Sequence, residues 1–221
     1  MEKINVFIAG QEHLVYIPEI EQAIIDASKV KGTGLAKRTK EYLNQKIIEG
    51  KAVIGLTQSG KFAGFCYIEC WGHKKFVANS GLIVMEEYRG MGIAMKIKQK
   101  AFKLSRKLFP DAKIFGLTTS LAVMKINSAL GYKPVTFSEL TDDEEFWKGC
   151  QTCSYYDVLF RTNRTHCLCT GMLFDPVKNQ KRWIINKSLR KNGIKLKESG
   201  KELIGLIAKK KNKKQQTHKY A

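Results

Sequence analysis

The sequence predicts an α+β domain with a central mixed, mostly antiparallel sheet, helices against it, and a basic C-terminal extension. Three observations predict this. Helical spacing dominates the early chain, an antiparallel hairpin run follows, and the chain then alternates strand, helix, strand, helix, strand. A turn carrying Gly90 and Gly92 stands between a strand and a helix in the middle of that order. From Lys178 onward the composition changes to 15 Lys/Arg against two acids, Glu198 and Glu202. The expected division is therefore a globular domain over 1–175 and a basic tail over 176–221.

The elements follow in order. "INVFIAG" at 4–10 reads as a short strand. "IPEIEQAIIDASKVKG" places Ile20, Ala23, Ile24 and Ala27 at helical spacing. "GTGLAKRT" at 32–39 is a loop, and "KEYLNQKIIEG" returns to a helix stopped by Gly50. "KAVIGLT", "QSGK" and "FAGFCYIECW" read as strand, tight turn, strand. "KKFVANSGLIV" is a further strand. Residues 91–108 are expected to be a helix with Ile93, Ile97, Ala101, Leu104 and Leu108 on one face; Pro110 ends it, and Arg106 and Lys107 suit its negative pole. "AKIFGLTT" is a buried strand, "SLAVMKINSALG" a helix and "YKPVTF" a strand. Thr141 is the expected N-cap of a short helix in "TDDEEFW". "SYYDVLF" and "CLCTGMLF" read as strands.

Composition narrows the function classes. The chain has 221 residues, 43 % of them hydrophobic, enough to bury a real core. No apolar run approaches the roughly 18 residues of a membrane span. The N-terminal stretch starts acidic and its apolar run is short, a poor signal peptide, so the expected location is cytoplasmic and the six cysteines reduced. The net charge of +19 is uneven: residues before Lys178 hold 24 Lys/Arg against 18 acids.

The central glycines point to an anion. The first N–H groups of a helix have no partner, and the macrodipole adds about half a positive charge there. Glycine lets a phosphate approach bare backbone, and Arg89 adds a fixed charge. The dinucleotide pattern G-x-G-x-x-G fails at Met95. "GLTQSGKF" resembles a phosphate-binding loop, but Phe62 stands where a magnesium-holding hydroxyl belongs, so it reads as a hairpin turn. The pattern Arg/Gln-x-x-Gly-x-Gly/Ala is met by Arg89, Gly92 and Ala94.

That last pattern resembles the acyl-CoA site of the GNAT superfamily of N-acetyltransferases. "SGLIVMEEYRGMGIAMKIKQKAF" is similar to its central strand, turn and helix, and "SLAVMKINSALGYKPV" to the helix and strand that follow, ending in Gly131 and Tyr132. The resemblance covers about 4–137. It implies a sheet whose central strands splay, with Leu82, Ile83 and Val84 offering free backbone to a pantetheine arm. It implies that the backbone of Arg89, Gly90, Met91, Gly92, Ile93 and Ala94 holds a pyrophosphate, and that Ser120 contacts CoA in place of the usual asparagine. An amine would attack the acyl thioester directly, with a backbone amide stabilising the oxyanion.

The chain departs from that pattern at two functional positions. Phe76 stands where many members carry a catalytic glutamate, so Glu69 and His73 are the candidate bases. Each also has an ordinary reading, Glu69 as an ion-pair partner and His73 as an exposed turn residue. Asn127 stands at the position of the usual general-acid tyrosine. "KFVANSGLIV", "KIFGLTTSLAVMKINS" and "GYKPVTFSELTDDEEFWKGCQTC" resemble a narrower set of GNAT proteins from Bacteroidetes, N-acetylglutamate synthase-like and linked to arginine biosynthesis. That resemblance implies acetyl-CoA, or alternatively succinyl-CoA, as donor and a small amino acid, glutamate first, as acceptor. Arg38 and then Lys37 in "GLAKRT" are the candidate clamps for its carboxylates; a solvated loop is the alternative.

Two features stand apart. Cys150, Cys153, Cys167 and Cys169 fall within 20 residues and are candidate ligands of a structural zinc, with small buried thiols as the other reading. Cys66 and Cys70 share a strand face and read as core. The tail, with "AKKKNKK", is read first as a solvated extension; nucleic-acid binding through it is the less favoured alternative. Beside the small-amine enzyme stand two other functions: acetylation of a protein or RNA-associated amine, and a non-catalytic CoA- or nucleic-acid-binding module.

Overall fold

The computed structural model describes residues 2–30 and 32–179, and the readings made for the rest of the basic tail lie outside them. The compact unit that carries the site spans Met1–Pro176. Seven strands form one sheet: β1 (Ile4–Ile8), β2 (Ala52–Thr57), β3 (Phe62–Trp71), β4 (Phe76–Val84), β5 (Lys113–Thr118), β6 (Lys133–Val135) and β7 (Thr170–Phe174). Their order is β1-β2-β3-β4-β5-β7-β6. Every neighbouring pair is antiparallel except β4 and β5. The expected α+β class, with a mixed and mostly antiparallel sheet flanked by helices, is the observed one.

The two sheet faces are covered by different helices. On one face lies α3 (Ile93–Leu108), whose Ile93, Ile97, Ala101 and Leu104 pack with Val53, Cys66, Ile68 and Val77. On the other lie α1 (Ile17–Lys29) and α2 (Lys40–Ile48), whose Ile20, Ile24, Leu43 and Ile47 pack with Ile54, Phe65 and Tyr67. Side chains on a strand alternate between faces, so β2 and β3 supply both layers. α2 is capped by Thr39, whose side chain accepts from the Tyr42 amide, and Gly50 follows it in a left-handed conformation. The short α4 (Leu121–Ala129) links β5 to β6 and starts at Ser120, whose hydroxyl accepts from the Val123 amide at 3.4 Å.

Several expectations are corrected. Leu108 is 44 % exposed, and Lys98 rather than Leu108 completes the buried face of α3. "SYYDVLF" is helical: α6 (Tyr156–Arg161) is held by an Asp157–Arg161 ion pair at i,i+4, by the Tyr156–Phe160 ring contact and by burial of Leu159. Cys167 and Cys169 precede β7 rather than lying in a strand. The helix after Thr141 is α5 (Glu144–Lys148), capped by Asp143, while Thr141 accepts from the Trp147 indole through its carbonyl. Trp147 is buried, so its N–H must find that internal partner.

The sheet opens where the site lies. β4 and β5 pair only over Phe76–Ala78 and Lys113–Phe115. Beyond Ala78 the strands part, and β4 stays bonded to β3 alone. A bulge in that pairing coincides with Gly81, which has φ +64°. A Cβ there would lie 2.6 Å from the Tyr67 ring, so glycine is required by both conformation and space.

Candidate active site

Parting of β4 from β5 leaves a cleft of about 620 Å³. Its walls come from β4, β5, α3 and the turn before it, α4, and α1 with the loop that follows it. Leu82, Ile83, Val84, Arg89, Ala94 and Ser120 line it, six of the ten residues the sequence reading assigned to CoA. Of the other four, Gly90, Met91 and Gly92 form the turn itself and Ile93 opens α3. Gly90 and Gly92 have φ of +78° and +73°, and no neighbouring atom lies within 4 Å of where a Cβ would stand on either. Gly92 is the N-cap of α3, whose first turn contains no acid. Met91 and Ile93 turn their side chains into the core. The arrangement exposes backbone at the positive end of a sixteen-residue helix. Arg89 stays at the rim, its Nε donating to the Val84 carbonyl at 3.2 Å.

One buried amide tests whether a polar ligand fits the cleft. Asn127 is 1 % exposed and lines it, yet among the described residues neither its Oδ1 nor its Nδ2 has a partner. Buried polar groups are nearly always satisfied, so this donor–acceptor pair suits a ligand that offers both, such as the amides of a pantetheine arm.

A second, smaller cavity of about 100 Å³ adjoins the cleft, sharing Gly34, Leu35, Ser80, Gly81, Gly116 and Leu117 with it. Arg38 lines this cavity. Its Nε donates to the Tyr67 phenol at 2.8 Å, and its Nη1 to the carbonyls of Lys37 and Gly149 at 2.8 and 3.2 Å. The Tyr42 ring lies 5.6 Å away. No salt bridge among the described residues includes Arg38. Lys37 is exposed and does not line the cavity.

The two candidate bases are not brought to either cavity. Glu69 forms a buried ion pair with Lys46 and accepts from the Tyr42 phenol at 3.2 Å. His73 occupies the turn between β3 and β4 with φ +54°.

The four clustered cysteines do meet at the smaller cavity, all of them lining it. The zinc reading of these candidates is not supported: among the described residues no group of three or more His, Cys, Asp or Glu is arranged to hold a metal ion. Cys150, Cys167 and Cys169 pack instead against the apolar cluster of Phe115, Phe137 and Trp147. That packing favours the neutral thiol: burial first, then the neighbouring Cys153, pushes Cys150 up to about 11.

Sequence reasoning missed Lys98. It lies on α3, lines the cleft and is 2 % exposed. Its neighbours at i−4, i+3 and i+7 are Ala94, Ala101 and Ser105, all small. A lysine set in a stripe of small residues on a helix face is the signal that was available.

Solved structures with this architecture place it. The domain superposes on an N-acetylglutamate synthase from Neisseria gonorrhoeae complexed with coenzyme A and N-acetyl-glutamate, with a TM-score of 0.57, 15 % identity and 79 % of this chain covered. It matches Rv2747 from Mycobacterium tuberculosis, solved with CoA, at a TM-score of 0.56 and 17 % identity, over 77 % of this chain and 98 % of that one. A GNAT superfamily phosphinothricin acetyltransferase from Sinorhizobium meliloti, in complex with AcCoA, matches at 0.54 and 13 %, over 78 % of this chain and 88 % of that one. This is the GNAT fold. The chain spans 35 % of the length of the Neisseria enzyme. No family model and no curated protein matches the sequence. The splay between β4 and β5, the glycine turn and the N-terminus of α3 shape the cleft.

Proposed function

We propose that the protein is an N-acyltransferase that moves an acyl group from CoA to the amine of a small amino acid, with acetyl-CoA and glutamate as the first pair to test and succinyl-CoA as the other donor. One observation carries the reading: a cleft opened by the parting strands runs from the glycine-capped end of α3 past the unpartnered amide of Asn127. The phosphates would take the backbone amides at Gly90–Gly92 and the charge of Arg89. The pantetheine arm would lie along Leu82–Val84 and satisfy Asn127. The reacting carbonyl would then reach the junction with the smaller cavity, where backbone of Ser80 and Gly81 borders both spaces. The acceptor would enter that second cavity.

Arg38 supports an acceptor with a carboxylate. Its guanidinium is anchored on three oxygens and a ring, and among the described residues it has no acidic partner. A pre-positioned arginine binds a carboxylate at lower ordering cost than a free one. Ser120 would contribute less than an asparagine would, because its hydroxyl already caps α4.

The test follows free CoA with a thiol reagent in mildly alkaline buffer. Glutamate, ornithine, lysine and a polyamine are offered with acetyl-CoA and then succinyl-CoA. Release with glutamate alone supports the amino-acid reading. Release that survives truncation after Asp175 assigns it to the GNAT domain. Absence of release with every small amine, in protein that binds CoA, overturns the reading in favour of a macromolecular acceptor or a binding module.

A further inference from the structure

Lys98 is a buried lysine at the point where the two central strands part. Its Nζ donates to the main-chain carbonyl of Asn79 at 3.0 Å. Asn79 is the first residue of β4 beyond the last pair with β5, so the lysine occupies the apex of the splay. A Cβ placed on Gly116, the facing residue of β5, would stand 3.7 Å from Nζ. The amine is thus wedged between the two parting strands and lines the cleft. No salt bridge among the described residues includes it. A buried, unpaired ammonium is costly, and methionine would fill similar space without that cost.

The surroundings favour a neutral amine. Burial pushes the Lys98 ammonium pKa down. The titratable groups packed round it are Cys66 from β3 and the Tyr132 phenol, whose ring centre lies 6.0 Å away. Burial holds both in their neutral forms. β4 and β5 contribute Asn79 and Gly116, neither of which titrates, and α4 contributes Asn127 to the same cleft. Asn79 is itself fixed, its Oδ1 accepting from Ser105 at 2.8 Å and its Nδ2 lying 3.3 Å from the Tyr132 hydroxyl.

Resting on the acyltransferase reading, we infer that Lys98 is the proton carrier of the transfer, a catalytic residue at the apex of the splay. The acceptor enters as its free amine. Its nitrogen bonds to the thioester carbonyl carbon, and the Lys98 amine takes one proton from that nitrogen. The carbon–sulfur bond then breaks, and the Lys98 ammonium gives the same proton to the departing thiolate. The products are the amide and the CoA thiol, and Lys98 ends as it began. A single group serves both steps, which suits a site where Phe76 and Asn127 stand at the positions of the usual base and acid.

The test compares wild type, Lys98→Met and Lys98→Arg in the full chain. Wild-type kcat should rise with pH through a single group titrating below the roughly 10.4 of a free lysine. Lys98→Met should lose roughly 100-fold or more in kcat and that limb of the profile, with KM for acyl-CoA little changed. Arginine can still donate to the Asn79 carbonyl but stays charged, so Lys98→Arg should restore melting temperature without restoring kcat. Recovery of activity by arginine would reduce Lys98 to a structural wedge and overturn the inference. A second readout needs no turnover: the Lys98 Cε/Hε resonance, assigned by its loss in Lys98→Met, should titrate below the surface lysines and shift when CoA binds. A resonance titrating with the surface lysines overturns the inference as well. Wild-type protein that binds acyl-CoA but acylates no amine overturns the acyltransferase reading, and Lys98's part with it. Wild-type turnover matched by Lys98→Met overturns the role of Lys98 alone.

Discussion

Arg38 Nε donates to the Tyr67 phenol oxygen at 2.8 Å, tying a loop residue to a buried strand. Tyr67 in turn packs edge-on against Tyr42 and fills the space that Gly81 leaves open. The loop residue is therefore aimed by the bulge in β4, the same irregularity that shapes the cleft.

Removing that guanidinium should act on the acceptor alone. Arg38→Ala should lower kcat/KM for a carboxylate-bearing amine by roughly 10- to 100-fold, the range of one charge-assisted hydrogen bond. KM for acyl-CoA should hold. Steady-state kinetics with glutamate and with its esters measures this, and an equal loss for acid and ester would remove Arg38 from carboxylate binding. Tyr67→Phe should give a smaller loss of the same kind.

Asn127→Leu should move stability and binding in opposite directions. The buried amide has no partner, so an apolar isostere should stabilise the domain by about 1–3 kcal/mol, seen as a higher melting temperature. The same change should weaken CoA binding several-fold in calorimetry. A variant that loses stability and binds CoA normally would show that the amide is satisfied within the protein.

Glu69→Gln should cost stability rather than chemistry. The change leaves Lys46 buried against an uncharged partner, with Glu49 at 3.8 Å and the Tyr42 ring at 4.8 Å as its remaining company. Weakening a buried pair while a second carboxylate stays in reach costs about 1–3 kcal/mol. Chemical denaturation reads that loss. An unaltered denaturation midpoint with a collapsed kcat would instead make Glu69 the base.

Alkaline stability should reflect the cysteines at the smaller cavity. Cys150 is pushed up to about 11 by burial and then by Cys153. Between the unfolded value of about 8.5 and the folded one, the unfolded chain binds fewer protons, so stability falls as pH rises. The contribution is whole below about 8.5 and gone above about 11, on the order of 3 kcal/mol. Cys150→Ala should flatten the alkaline limb of a melting-temperature profile relative to wild type; an unchanged slope would place the loss at other groups.

The legible features were local. The β4–turn–α3 unit was readable because its cause lies within a few residues: two glycines with positive φ, an arginine before them and a 3.6-residue apolar stripe after them. The helical "SYYDVLF" was misread because two tyrosines and a valine favour a strand in isolation, whereas burial of Leu159 and the Asp157–Arg161 pair favour one short helix. The four cysteines were rightly grouped by spacing. Their packing round Phe115 and Trp147 depends on residues far away in the chain, and no spacing rule contains that.

By itself the sequence determined the α+β class, the glycine turn and the helix that follows it, because each follows from periodicity and local backbone freedom. Only the tertiary structure decided that Glu69 is held by Lys46, that Arg38 faces a cavity without an acid beside it, and that Lys98 ends at the apex between β4 and β5. These outcomes rest on contacts between segments distant in sequence, where the partner and the depth of burial set a side chain's charge and role.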